Sequence, residues 1–271
     1  MGGRKITFLS LPVLAVVFLM GYVYCTTVFV LLPDWLELSS YLGRTNALIF
    51  SFFAFMCMFA FVASVLTDPG RVPSSFAPDA ENPQANKGIS HYCDKCRAYK
   101  PPRTHHCRTC KRCVLKMDHH CAWISSCVGY ANYKSFIVCI FYGSVTSIYS
   151  TPLFRSYILA FDHIFSLSIF IFFPDHQALS GLALTILSIT ISSLFAWHIY
   201  LLTQNLTTIE YREAVRAAWL AKKCGQNYRH PFNLGVYTNL KLILGSNVLK
   251  WFWPSALGHL NDGTRFPISS E

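Results

Sequence analysis

Acidic side chains are scarce in this 271-residue chain, with 13 Asp and Glu against 23 Lys and Arg, and charge of either sign is missing over long stretches. No charged residue occurs from Ile6 to Leu32 or from Thr45 to Thr67, and Asp, Glu, Lys and Arg are absent from Ser135 to Phe154 and from Leu179 to Leu202. About 20 apolar residues cross the roughly 30 Å of hydrocarbon in a bilayer. Blocks of that length exclude a soluble globule, in which apolar residues are dispersed and periodic. The near absence of ionisable groups inside the blocks argues against a transport pathway. No internal repeat is evident. The apolar stretch Ile164 to Phe173 follows Asp162 and His163 and is too short to cross, so it reads as interfacial or packed outside the membrane.

The positive charge is placed rather than spread. Ten Lys or Arg lie between Asp68 and Tyr133, eight follow Leu206 and two precede Ile6, whereas the loops near Leu36 and Asp162 hold only Arg44 and Arg155. The positive-inside rule puts both termini and the central loop in the cytosol. The net charge of +10 then reflects topology and anionic lipid rather than nucleic acid, for which no reading helix is present. Arg4 and Lys5 before an apolar run could imitate a secretory leader, but the run is too long and has no small-residue cleavage site, so it is a retained first helix.

The expected architecture is an all-α membrane protein with four transmembrane helices and a cytosolic cysteine-rich domain between the second and third. Residues 1–67 form the first helix pair, 68–133 a linker and the cysteine-rich domain, 134–205 the second helix pair, and 206–271 a cytosolic tail. Asp68-Pro69-Gly70 ends the second span, because Pro lacks a donor and Gly accepts turn conformations. From Ile209 to Lys223, Tyr211, Val215, Ala218 and Trp219 share a helical face that either lies on the membrane or packs on the cysteine domain.

Seven of the eleven cysteines fall between Cys93 and Cys127, interleaved with His91, His105, His106, His119 and His120. In a reducing cytosol that density points to metal rather than disulfides. Cys93/Cys96 and Cys107/Cys110 are Cys-x-x-Cys pairs of the kind that present two sulfurs to zinc from one turn. Two tetrahedral sites with three Cys and one His each would use six of the seven thiols and leave one free. Spacing does not say which of Cys113, Cys121 and Cys127 is free, or which histidines bind.

Asp118-His119-His120-Cys121, with the surrounding cysteines, Asp68-Pro69-Gly70 and Thr207-Thr208-Ile209-Glu210, resembles the DHHC-type protein S-acyltransferases, or palmitoyltransferases. The resemblance implies two structural zinc ions, one on Cys93, Cys96, His106 and Cys113 and the other on Cys107, Cys110, His120 and Cys127. Cys121 is then the nucleophile, His119 its base and Asp118 the group that orients His119. The resemblance further implies acyl-CoA, typified by palmitoyl-CoA, as co-substrate and an acyl-Cys121 intermediate. The acceptors would be membrane-associated proteins with accessible cysteines at the Golgi, endoplasmic reticulum or plasma membrane.

Trp123 is expected near the first acyl carbons, and Lys100, Arg103 and Arg108 near the CoA phosphates. Thr207 and Thr208 are expected to brace the site, and Pro231-Phe232-Asn233-Leu234-Gly235 with Asn239 to dock the tail to the spans. Ala122, Ser125 and Ser126 depart from the usual family pattern without removing a ligand or nucleophile. His198 is expected to be a packing residue, and Cys25, Cys57 and Cys139 small apolar core residues. Cys224, preceded by two lysines, is a candidate for acylation itself. The rival reading is an inactive zinc-bound membrane scaffold.

Overall fold

The computed structural model describes residues 10–77, 92–162, 176–255 and 257–269, so Ile164 to Phe173 and most of the linker fall outside the described residues. Helix α1 (Leu11–Thr26) runs into a five-residue π-helical stretch, Thr27–Leu31, and a short α2 (Leu32–Leu36). It is followed by α3 (Tyr41–Leu66), α4 (Tyr133–Asp162), α5 (His176–Thr203), α6 (Thr208–Lys223) and α7 (Val236–Leu244).

Among the described residues three segments are long and apolar enough to cross a membrane: Leu11–Leu31, Tyr41–Leu66 and Gly181–Thr203. The expected span Ser135 to Phe154 lies within α4 and is not one of them. The side chains of α4 are described only as far as Thr151, short of the end of that span.

The packing divides into two units. One comprises the described residues of Leu14–Ala60 and Ile137–Ala196. Its clusters join Val28, Leu31, Leu32, Phe50 and Leu184, and Met56, Cys57, Ala60, Val138 and Tyr142. Cys57 and Cys139 belong to this packing, but Cys25 is exposed. A buried Thr27–Ser150 hydroxyl pair at 3.1 Å ties distant parts of the unit, as polar contacts do between helices that share an apolar solvent.

The other unit comprises the described residues of Met1–Val13, Phe61–Phe136 and Trp197–Glu271. Its centre is not helical. Three antiparallel hairpins pair β1 (Tyr92–Cys93) with β2 (Ala98–Tyr99), β3 (His105–Cys107) with β4 (Arg112–Val114), and β5 (His119–Cys121) with β6 (Ser126–Val128). The all-α expectation is corrected here, because a turn that aims two sulfurs at one point is a hairpin turn, not a helical one.

The hairpins also correct the reading that the chain has no repeat. Cys93, Cys107 and Cys121 stand 14 residues apart, each opposite the fifth residue on, Ala98, Arg112 or Ser126. Arg97, Lys111 and Ser125, at the same place in each turn, all have left-handed φ near 50°. A period of 14 residues with two of three cysteine pairs intact is invisible to a search for longer repeats and legible only once the strands align.

Asp68-Pro69-Gly70 does more than end α3. The Asp68 carboxylate accepts from the Gly70 amide, Arg71 and Arg112. Pro69 and Gly70 carbonyls accept from the Ala131 and Leu115 amides. Gly70 has φ +112°, and a Cβ on Gly129 would lie 2.7 Å from Val114. Both positions therefore require glycine for the chain to lie against the hairpins. Asn132, fully buried, donates to the Ser64 and Cys127 carbonyls.

Candidate active site

The hairpin register assembles two ligand clusters. His106 pairs with Cys113 across β3–β4, and His120 with Cys127 across β5–β6. Each such pair meets the Cys-x-x-Cys turn of the preceding hairpin. The groups are Cys93, Cys96, His106 and Cys113, and Cys107, Cys110, His120 and Cys127, with the ligand atoms of each within 4.8 Å of one another.

Their spacing tests the fit to zinc. Tetrahedral bonds of about 2.3 Å to sulfur and about 2.0–2.1 Å to nitrogen put sulfurs about 3.8 Å apart and sulfur and nitrogen about 3.6 Å apart. In the first group Cys93, Cys96 and Cys113 Sγ lie 3.5, 3.2 and 3.9 Å from His106 Nδ1, and Cys96 and Cys113 are 3.7 Å apart. In the second, Cys107, Cys110 and Cys127 lie 3.6, 3.4 and 3.7 Å from His120 Nδ1, and Cys110 and Cys127 are 3.5 Å apart. Both sets fit the ion.

Cys121 belongs to neither group. It holds the position in the third hairpin that Cys93 and Cys107 hold in the first two, but Ile124 replaces the second cysteine of the turn, and α4 begins where a fourth hairpin would supply the remaining ligands. The backbone of the turn is retained. Amides of Lys95 and Cys96 donate to Cys93, those of Thr109 and Cys110 to Cys107, and those of Trp123 and Ile124 to Cys121. The free thiol thus inherits a thiolate-binding turn without a metal to occupy it.

Side chains complete the environment. Asp118 is buried, and His119 Nδ1 donates to its Oδ2 at 2.6 Å. Thr208, the first residue of α6, directs its amide at 2.9 Å and its hydroxyl onto the same carboxylate. A carboxylate at the N-terminus of a helix also meets the positive end of the helix dipole. Burial raises the Asp118 pKa, but bonding to His119 and Thr208 outweighs it, so the group stays below its ordinary value.

Burial disfavours the charged form of His119, yet hydrogen bonds to Asp118 and Cys121 prevail and push its pKa up to about 9. Burial likewise raises the Cys121 thiol, and the His119 hydrogen bond with the turn amides lowers it below its ordinary value. These opposed shifts run in the directions that favour a thiolate beside an imidazolium.

His198, read from the sequence as a packing residue, is one, but its place beside His119 was not read. It is buried, shares a 3.1 Å hydrogen bond with the Tyr133 hydroxyl, and sits with its ring centroid 6.0 Å from that of His119 and 5.1 Å from that of Phe136. One ring nitrogen lies within 4.8 Å of ligand atoms of Asp118 and His119.

Arg103 is corrected. Its guanidinium is buried and grips Glu210 through two bonds of 2.6 Å, with further bonds to Asn205 Oδ1 and the Asn205 carbonyl. Phe232 and Phe266 stack on it at 4.6 and 5.1 Å. A cation so enclosed, its side chain 1% exposed, is not open to a CoA phosphate. Lys100 is half-buried beside the first cluster and Arg108 is exposed. Trp123 is 63% exposed, two residues beyond Cys121.

The buried Lys116 joins the same knot through Asn205. Glu210 and Thr207 cap each other at the start of α6. Asn205 also donates to the Phe232 carbonyl, and Asn239 to Thr203 and Asn233, which fastens the Pro231–Gly235 segment to the end of α5.

A family model described as DHHC palmitoyltransferase matches residues 86–215. The chain is 49% identical over 255 residues to "Probable protein S-acyltransferase 15" of Arabidopsis thaliana, covering 93% of this chain and 100% of that protein. It is 43% identical over 282 residues to "Probable protein S-acyltransferase 16" of the same plant, covering 99% and 98%. With "Palmitoyltransferase ZDHHC2" of Homo sapiens it shares 35% identity over 190 residues, 66% of this chain and 47% of that one.

Proposed function

Because the chain belongs to the DHHC palmitoyltransferase family, we propose that this protein S-acyltransferase works through an acyl-Cys121 intermediate. The observation that carries the reading is one buried thiol, outside both metal clusters, held between a thiolate-binding turn and the His119–Asp118 pair.

In the first half-reaction the Cys121 thiolate attacks the thioester carbonyl of a long-chain acyl-CoA. The CoA thiolate departs and takes the proton held on His119. In the second, His119 accepts the proton of an acceptor cysteine, whose thiolate attacks the acyl-Cys121 carbonyl and releases the Cys121 thiolate. Each step exchanges one thioester for another, so no ATP is needed and ping-pong kinetics follow. Asp118, fixed by Thr208, holds His119 in one orientation and stabilises its charged form.

The two clusters would hold structural zinc, which cross-links the hairpins and leaves the chemistry to Cys121. Trp123, exposed beside the nucleophile, is placed to meet the first carbons of the acyl chain. Lys100 is the remaining proposed partner for CoA, together with Arg108.

A fourth crossing by α4 is supported by parity. The Arg103–Glu210 and Asp118–Thr208 contacts put the start of the tail beside the hairpins that precede α4. The segment between must therefore cross the bilayer an even number of times, and α5 accounts for one. The α4 hydroxyls of Ser144, Thr146, Ser150 and Thr151 bond carbonyls four residues back, so they need no water. The hairpins and tail then share the basic, cytosolic side, and the acceptors are proteins at that surface.

Zinc content and labelling test this together. Cys121→Ser is expected to keep two zinc ions per chain and to gain no hydroxylamine-labile label from palmitoyl-CoA. Cys107→Ser is expected to lose more than one zinc, because β3–β4 carries ligands of both clusters. Loss of zinc in Cys121→Ser would overturn the ligand assignment.

A further inference from the structure

The tail carries a feature that acyl transfer does not use. From Ala214 to Asn261 the chain has six Lys or Arg and no Asp or Glu. Within it the loop after α7 displays Val248, Leu249, Phe252 and Trp253 at 48, 89, 50 and 49% exposure. Lys241 and Lys250 flank them. Large apolar side chains gathered on a surface mark a binding face.

The loop is built rather than loose. The Trp251 indole donates to the Gly245 carbonyl at 2.8 Å, and the Asn247 side chain caps the turn Val248–Lys250. Its two ends are pinned to one place. Lys134 Nζ donates to the Leu244 carbonyl at 2.8 Å, and Ser135 Oγ to the Pro254 carbonyl at 2.9 Å. Lys134 immediately precedes the charge-free run of α4, and Ser135 opens it.

We propose that the Val248–Trp253 loop is a wedge inserted into the cytosolic leaflet at the foot of α4, with Lys241 and Lys250 on anionic headgroups. The occupant is lipid and not a protein because the anchoring points are the first residues of a proposed span, and because aromatic residues with Lys beside them match the interfacial zone in both polarity and charge. A partner protein would have to occupy a place that the bilayer already fills. The exposed Val215, Trp219 and Leu220 of α6, among Arg216, Lys222 and Lys223, extend the same chemistry along the tail. The wedge rests on the membrane reading above and adds a fixed depth for the tail, and hence for the hairpins that it braces.

The test uses the full zinc-replete chain in nanodiscs containing anionic lipid, with or without bromine on the upper acyl carbons. Tryptophan emission is compared between wild type and Trp253→Phe, so that the difference reports Trp253. A difference signal quenched at least about twofold by brominated lipid, and relieved by Leu249→Asp while Cys121 still acquires labile palmitoyl, is the expected result. An unquenched Trp253 signal alongside quenching of the remaining tryptophans would overturn the wedge and leave the membrane reading standing. Quenching of neither would overturn both.

Discussion

Replacing His119 with alanine is expected to slow formation of the acyl-enzyme by about 10³-fold, within the range typical of a positioned proton-transfer group. Zinc content should not change, since His119 is in neither cluster. The expected pH behaviour follows from the two opposed shifts. Cys121 is held below its ordinary value and His119 is pushed up to about 9, so the pairing extends the thiolate to lower pH than an isolated thiol allows. Alkylation of Cys121 in wild type should therefore set in at lower pH than in His119→Ala. In His119→Ala the rate should rise with pH toward the ordinary thiol value of about 8.5. A wild-type profile that coincides with that of His119→Ala would contradict the ion pair. Asp118→Asn should act in the same direction, because it removes the charge that holds the His119 proton and one of the two oxygens that accept from Thr208.

The second large effect is on stability. Removing one partner of a buried ion pair typically costs about 3–5 kcal/mol, since the other charge is left without compensation. Arg103→Ala strands Glu210, whose side chain is 7% exposed. Burial pushes the Glu210 pKa up, but Arg103 pulls it down to about 2. The pair's stabilisation is thus fully present above the ordinary carboxylate range and is lost as pH falls toward about 2. Arg103→Ala is expected to lower the melting temperature by about 10 °C at neutral pH. Arg103→Met with Glu210→Gln should recover part of the loss, because no orphan charge remains. If Arg103 instead served CoA, the single variant would raise KM for palmitoyl-CoA with melting unchanged.

The Arg103 case shows where sequence reasoning reaches its limit. The residue sits in a basic stretch beside the zinc ligands, and a count of charge along the chain cannot tell a solvated cation from one buried against Glu210, 107 residues away. Ligand residue types were legible because tight Cys-x-x-Cys turns are local, but their grouping needed either a family resemblance or the strand register that sets His106 opposite Cys113. The place of His198 beside His119 was hidden for the opposite reason. It lies alone in an apolar helix, where a single polar residue carries no pattern, and only folding brings it beside His119. All four apolar runs were readable from missing charge alone, but that the hydroxyls within α4 are satisfied by its own carbonyls is something composition does not record.

The most direct test of the account is peptide mapping of the zinc-replete protein after incubation with palmitoyl-CoA and no acceptor, followed by addition of a cysteine peptide. Palmitoyl on the peptide that contains Cys121, discharged to the acceptor as CoA-free turnover proceeds, is the predicted result. Palmitoyl on Cys224 alone, or transfer to the acceptor with Cys121 never modified, would contradict it.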